Sequence, residues 1–258
     1  MSNLNLLEII STGLQIFVLS FIVVQLIAPM IKAKATFLPF FLFLAMISYL
    51  LSDLYWIVYD SLKPDTRMPI AANEIAECAV ILLLSAGLDT ILHNKEKIAG
   101  EVLFAALFIG ANIALWIVWS GEWLQDIVFG IPYVYFVWVL IRGLRTRGSM
   151  TPHEIKSAFV ACISFVVLHV VLILVGGFAH LVVETVCFGL MFAVMTWLGI
   201  KSFQEKDIFV VSAFLLWTNL VMFSSYGYSY QAAFLANTFA LLLLPVSMKK
   251  EIAADALC

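Results

Sequence analysis

The sequence predicts an all-α polytopic membrane protein, a bundle of about nine transmembrane helices with the N-terminus outside and the C-terminus cytoplasmic. Three observations carry this. The 258 residues are 64% hydrophobic and only 12% charged, against roughly half apolar and a quarter charged in a soluble domain. Apolar runs recur along the whole length, each close to the 20 or so residues needed to cross about 30 Å of hydrocarbon. The basic residues also sort by side. With nine spans, Lys32, Lys34, Lys95, Lys97, Arg142, Arg145, Arg147, Lys156, Lys201, Lys206, Lys249 and Lys250 fall on one face, and only Lys63 and Arg67 on the other. The positive-inside rule places the larger group in the cytoplasm. An eight-span count would break that alternation.

The first span, 4–31, has no basic residue before it and is too long for a cleaved signal peptide, so it reads as a membrane helix. Spans follow at 37–61, 71–92, 98–120, 123–143, 153–176, 178–201, 207–226 and 229–248. They must be helices, because backbone groups in lipid need partners within their own segment. Pro132 is expected to kink the fifth. The sixth opens on a capping box, with Thr151 as N-cap, Pro152 at the first helical position and Glu154 at the third. Gly176-Gly177 makes the outer turn before the seventh. Residues 1–250 form a single transmembrane helical domain and 251–258 a short cytoplasmic tail.

Ionisable residues inside such a chain point to chemistry. In SDLYWIVYD, Asp53 and Asp60 are two helical turns apart and share a face with Trp56. Asp53 is nine residues from the outer end of its helix, about 13 Å deep at 1.5 Å per residue. An acid at that depth needs a partner, a proton or a water-filled cavity. The next helix brings Glu74 and Glu77, three apart. Glu122 and Asp126 open the fifth span, and His180 and Glu184, four apart, open the seventh. Tyr59, Trp116 and Trp119 lie at the same depth. Acids in a first turn also complement the helix dipole, and aromatics gather at any membrane interface. Those two effects account for Glu74, Glu122 and Asp126 without function, but poorly for Asp53. Asp53, Asp60, Glu74 and Glu77, walled by Trp56, Tyr59, Trp116 and Trp119 and joined by His180 and Glu184, are the expected ligand-binding residues. Carboxylates beside aromatic faces suit a cation or an amine.

Other chemistries are weakly represented. There is no HExxH, GxSxG, P-loop or GxGxxG pattern, no catalytic residue is named, and no cofactor is expected. A retinal Schiff base would need a lysine deep in a helix, and every lysine sits at an end or in a loop. His180 and Glu184 with His169 and an acid leave a metal-dependent intramembrane hydrolase as a third reading. Cys78, Cys162 and Cys187 fall inside apolar helices, where cysteine is usually a small packing residue. Asn112, His169, Thr218, Asn219 and Asn237 are deep polar groups expected to bond neighbouring helices.

After the last span the chain reads SMKKEIAADALC, and EIAADAL can continue as a helix into the cytoplasm. Asp255-Ala256-Leu257 matches the first three positions of D-x-L-T-G-L, with Cys258 where Thr is usual. This tail resembles the junction at which a polytopic membrane sensor region passes into a GGDEF diguanylate cyclase domain. The resemblance covers only these few residues, and the catalytic domain is not in this sequence. It implies a sensory input module without cyclase activity of its own. The expected function is therefore a sensor or receptor in a bacterial cytoplasmic membrane, binding a small cationic or amphiphilic ligand from outside and passing its state to a cytoplasmic signalling partner. No nucleic-acid partner is expected. A small-solute transporter, proton-coupled through Asp53, is the alternative.

Overall fold

The computed structural model describes residues 3–32, 37–63, 70–92 and 98–255. Among them the chain is all-helical, with no strand. Nine helices follow one another: α1 (Asn3–Lys32), α2 (Leu38–Leu62), α3 (Ile70–Thr90), α4 (Ala99–Ser120), α5 (Trp123–Arg147), α6 (Pro152–Leu174), α7 (Gly177–Glu205), α8 (Ile208–Phe223) and α9 (Gly227–Asp255). Seven are long and apolar enough to cross a membrane, namely α1, α2, α4, α5, α6, α7 and α9. Large apolar side chains such as Phe17, Leu107, Phe178 and Ile200 point outward, as expected where lipid rather than water is the solvent.

The helices pack as a closed ring in the order α9, α1, α2, α3, α5, α4, α6, α7, α8, with α5 also touching α8 across the middle. α8 is the short one, 16 residues, and twelve of them are buried. Its two faces serve α7 on one side and α9 on the other. Gly143 of α5 has no side chain to hold off the ring of Phe209, so these two helices approach closely.

The predicted capping box forms. Thr151 Oγ1 accepts from the Glu154 backbone N–H, and Glu154 Oε2 accepts from that of Thr151. Gly177, at φ 60°, occupies the left-handed region that the turn before α7 demands.

Three helices run further than the apolar spans indicated: α5 to Arg147 rather than 143, α7 to Glu205 rather than 201, and α9 to Asp255 rather than 248. The cause is ion pairing, which lets charged residues stay in the packed helix. Arg142 Nη1 lies 3.1 Å from Asp89 Oδ1, Arg145 Nε 2.7 Å from Glu101 Oε1, and Arg147 bridges both carboxylate oxygens of Glu251. Lys201 likewise holds Glu154 at 2.7 Å. These pairs gather the C-terminal ends of α5, α7 and α9 and the N-terminal ends of α4 and α6 at one basic end of the bundle. Asp89, at the end of α3, is the partner of Arg142 and stays partly exposed. The expected tail beyond Asp255 lies outside the described residues.

Candidate functional site

At the other end of the bundle, α1, α2, α3, α8 and α9 line a polar cavity of about 160 Å³. α2 contributes Tyr49, Asp53 and Trp56, α3 Glu77, α1 Glu8 and Ser11, and α9 Tyr230 and Gln231. Asp53 is only 8% exposed. Its Oδ2 is fully buried with no hydrogen-bond partner among the described residues. A buried carboxylate oxygen left in that condition is costly, so the cavity favours an occupant that brings a donor or a positive charge.

Glu77 links this cavity to two others. A space of about 90 Å³ shares Tyr49, Glu77, Met222 and Tyr230 with it and adds Tyr133 and Asn219. A wider opening of about 420 Å³ is lined by Glu77, Trp116, Trp119, Asp126 and Phe223. Trp116 packs edge-on against Tyr133 and Phe223.

Beneath Asp53 a hydrogen-bonded cluster fills the bundle core. Asn237 Oδ1 accepts from the Tyr49 hydroxyl at 3.1 Å. Asn237 Nδ2 donates to Thr218 Oγ1 at 3.0 Å and to Asn219 Oδ1 at 2.6 Å. Gln15 Nε2 donates to Thr238 Oγ1 at 3.0 Å. Nearer the cavity, Ser11 Oγ donates to Gln231 Oε1 at 2.7 Å. The cluster ties α1, α2, α8 and α9, as expected of Thr218, Asn219 and Asn237. Asn112 does not join it and donates to the Phe108 carbonyl of its own helix.

The predicted site residues divide into groups. Asp53, Trp56 and Glu77 line one cavity, and Trp116 and Trp119 the adjoining one. Tyr59 does not line these cavities. Its ring lies 6.0 Å from that of Tyr55, tilted by 33°, with the Lys63 ammonium 5.9 Å from its centre. The side chains of Asp60 and Glu74 lie outside the described residues, as does Arg67. His180 and Glu184 line another cavity, of about 580 Å³, between α4, α6 and α7, with His169, Cys187 and Tyr226, and it shares Trp119 and Phe223 with the 420 Å³ opening. There Glu184 Oε1 accepts from the Tyr226 hydroxyl at 2.9 Å, and His180 Nδ1 lies 3.9 Å from Glu184 Oε2. Among the described residues no three His, Cys, Asp or Glu side chains gather to hold a metal.

Sequence reasoning missed the contribution of α1 and the full role of Tyr49. The signal was present: Glu8, Ser11, Thr12 and Gln15 recur at three- and four-residue spacing, a polar stripe on an otherwise apolar helix. The chain matches no family model, no curated protein and no solved structure.

Proposed function

We propose that the chain is a membrane-embedded receptor that binds a small cation of the amine class in the Asp53–Glu77 cavity. The observation that carries this is the buried, unpartnered Asp53 oxygen in a cavity walled by Tyr49, Trp56 and Tyr230. An ammonium group supplies the missing donor, its charge offsets the carboxylate, and its methylenes meet aromatic faces. A volume of about 160 Å³ limits the occupant to a few heavy atoms.

The orientation that goes with this reading puts the acidic end outside and the basic end in the cytoplasm. α9 supports a signalling role. It lines the cavity with Tyr230 and Gln231, crosses the core through Asn237, and meets α5 at the basic end through Glu251. A ligand that favours one position of α9 over another shifts that equilibrium only by its difference in affinity for the two. The likeness of the tail to a cyclase junction fits the same role, with the state of α9 read by a partner in the cytoplasm.

The alternative is transport. The polar cluster of Gln15, Thr218, Asn219 and Asn237 leads inward from the cavity and provides groups that a moving solute could use. The test is a thermal-stability screen of the purified protein with small primary and quaternary amines, followed by flux into sealed vesicles. Binding at a hundredfold excess over Kd stabilises by about 2.7 kcal/mol. Stabilisation without flux supports the receptor, and stabilisation with saturable flux the transporter. Absence of any amine effect contradicts both.

A further inference from the structure

The contact of α5 with α8 divides the helix ring in two. One part is closed by α4, α5, α6, α7 and α8, and these five helices line a cavity of about 210 Å³. Phe104 and Phe159, whose rings meet edge-on at 4.4 Å, wall it together with Ile141, Trp217 and Leu220. The Trp217 indole N–H donates to the Met191 carbonyl at 2.9 Å, so the ring turns no free donor to the cavity. Every lining residue is apolar except Glu101 and Arg145. These two sit at the basic end, with Arg145 Nε 2.7 Å from Glu101 Oε1 and the arginine side chain 35% exposed. Glu101 is only 9% exposed, and its Oε2 is buried with no hydrogen-bond partner among the described residues. Along α5 the lining runs from Arg145 to Val137, about 12 Å of helix at 1.5 Å per residue. The space is thus long and narrow, with a charged pair at one end and hydrocarbon along the rest.

We propose that this cavity binds a neutral single-chain amphiphile, a hydrocarbon tail with a hydroxyl head, and that the hydroxyl sits at the Glu101–Arg145 pair. The proposal stands independently of the amine reading, which uses the other part of the ring. The tail follows from the lining. A dry apolar cavity of about 150 Å³ is enough to take up benzene, and this one is larger. The head follows from charge. The pair is already neutral, so a carboxylate or an ammonium head would add an uncompensated charge beside it. A hydroxyl donates to Glu101 Oε2 and accepts from the Arg145 guanidinium, and so answers both groups. A packing void is the structural alternative. It explains the volume but leaves a buried carboxylate oxygen without a partner.

The test uses the full chain in phosphatidylcholine nanodiscs and an octanol that carries a photoreactive diazirine on its tail. Adducts mapped by peptide mass spectrometry are expected on lining residues such as Phe104, Phe159 and Trp217. Unlabelled octanol is expected to suppress them, and octane, octanoate and octylammonium to do so at least about tenfold less well. A phosphatidylcholine with the same photoreactive tail is expected to leave the lining unlabelled. Ala213→Phe and the milder Ala158→Leu place new side chain in the open space. Each is expected to unfold like the wild type in micelles and to lose the adducts. Replacing Glu101 and Arg145 together by Met strands no charge. That variant is expected to keep the adducts and to lose the advantage of octanol over octane. Adducts confined to lipid-facing residues, labelling of the lining by the phospholipid, or labelling that survives both filled variants overturns the proposal. So does equal suppression by the charged heads, or an octanol advantage that persists without the pair.

Discussion

Asn237 on α9 donates to Asn219 on α8 at 2.6 Å, and through its carbonyl oxygen it also holds the Tyr49 hydroxyl at the floor of the Asp53 cavity. One side chain thus joins the Asp53 cavity to the short, mostly buried α8. Polar groups at this depth have no water to fall back on, so they fix the positions of α2, α8 and α9 relative to one another.

Replacing Asn237 by Leu removes the hub and leaves Tyr49, Thr218 and Asn219 short of partners. The expected loss is about 1–3 kcal/mol, read as reduced resistance to unfolding in mixed detergent micelles. A variant as stable as the wild type would show that the cluster adds no rigidity.

Arg147 and Glu251 form a two-pronged ion pair with Glu251 nearly buried. Either single change, Arg147→Met or Glu251→Leu, leaves a charge inside the basic end. A fully buried pair broken this way costs about 3–5 kcal/mol. Arg147 keeps 23% exposure, so about 1–3 kcal/mol is expected here. The double variant is expected to recover most of that loss in the same unfolding assay. Additive losses would mean that the two residues act separately.

How far the sequence reveals this architecture depends on the range of the contacts. Apolar run length places all nine helices, because each run faces lipid or core along its whole length. The helix end at Arg147 was hidden, because a basic residue marks an apolar run's end only when it reaches water, and here the arginines reach carboxylates instead; the run of α9 to Asp255 was legible in EIAADAL. The pairing of Asp53 with Glu77 was legible, since α2 and α3 form a hairpin. The contacts of Gln15 with Asn237 and Thr238 span more than 220 positions, and nothing in a single sequence brings α1 to α9. His180 and Glu184 lie one helical turn apart, and their cavity meets the opening that Glu77 lines at Trp119 and Phe223.

Topology makes a separate prediction. In a cysteine-free background, Tyr228→Cys at the start of α9 is expected to react with a membrane-impermeant maleimide in intact cells. Gln204→Cys near the end of α7 is expected to react only after permeabilisation. Both positions are exposed. The reversed pattern would invert the bundle and put the Asp53 cavity on the cytoplasmic side.

The most direct measurement is amine binding to the purified protein by calorimetry, with Asp53→Asn and Asp53→Glu beside the wild type. Asn keeps the size of the side chain and removes its charge. Asp53→Asn is expected to fold and unfold like the wild type, or to be slightly more stable, yet to bind the amine at least about a hundredfold more weakly, a loss of roughly 2.7 kcal/mol. Asp53→Glu should retain part of the affinity. Equal affinity in wild type and Asp53→Asn would contradict the central claim, since the buried carboxylate would then hold no cation.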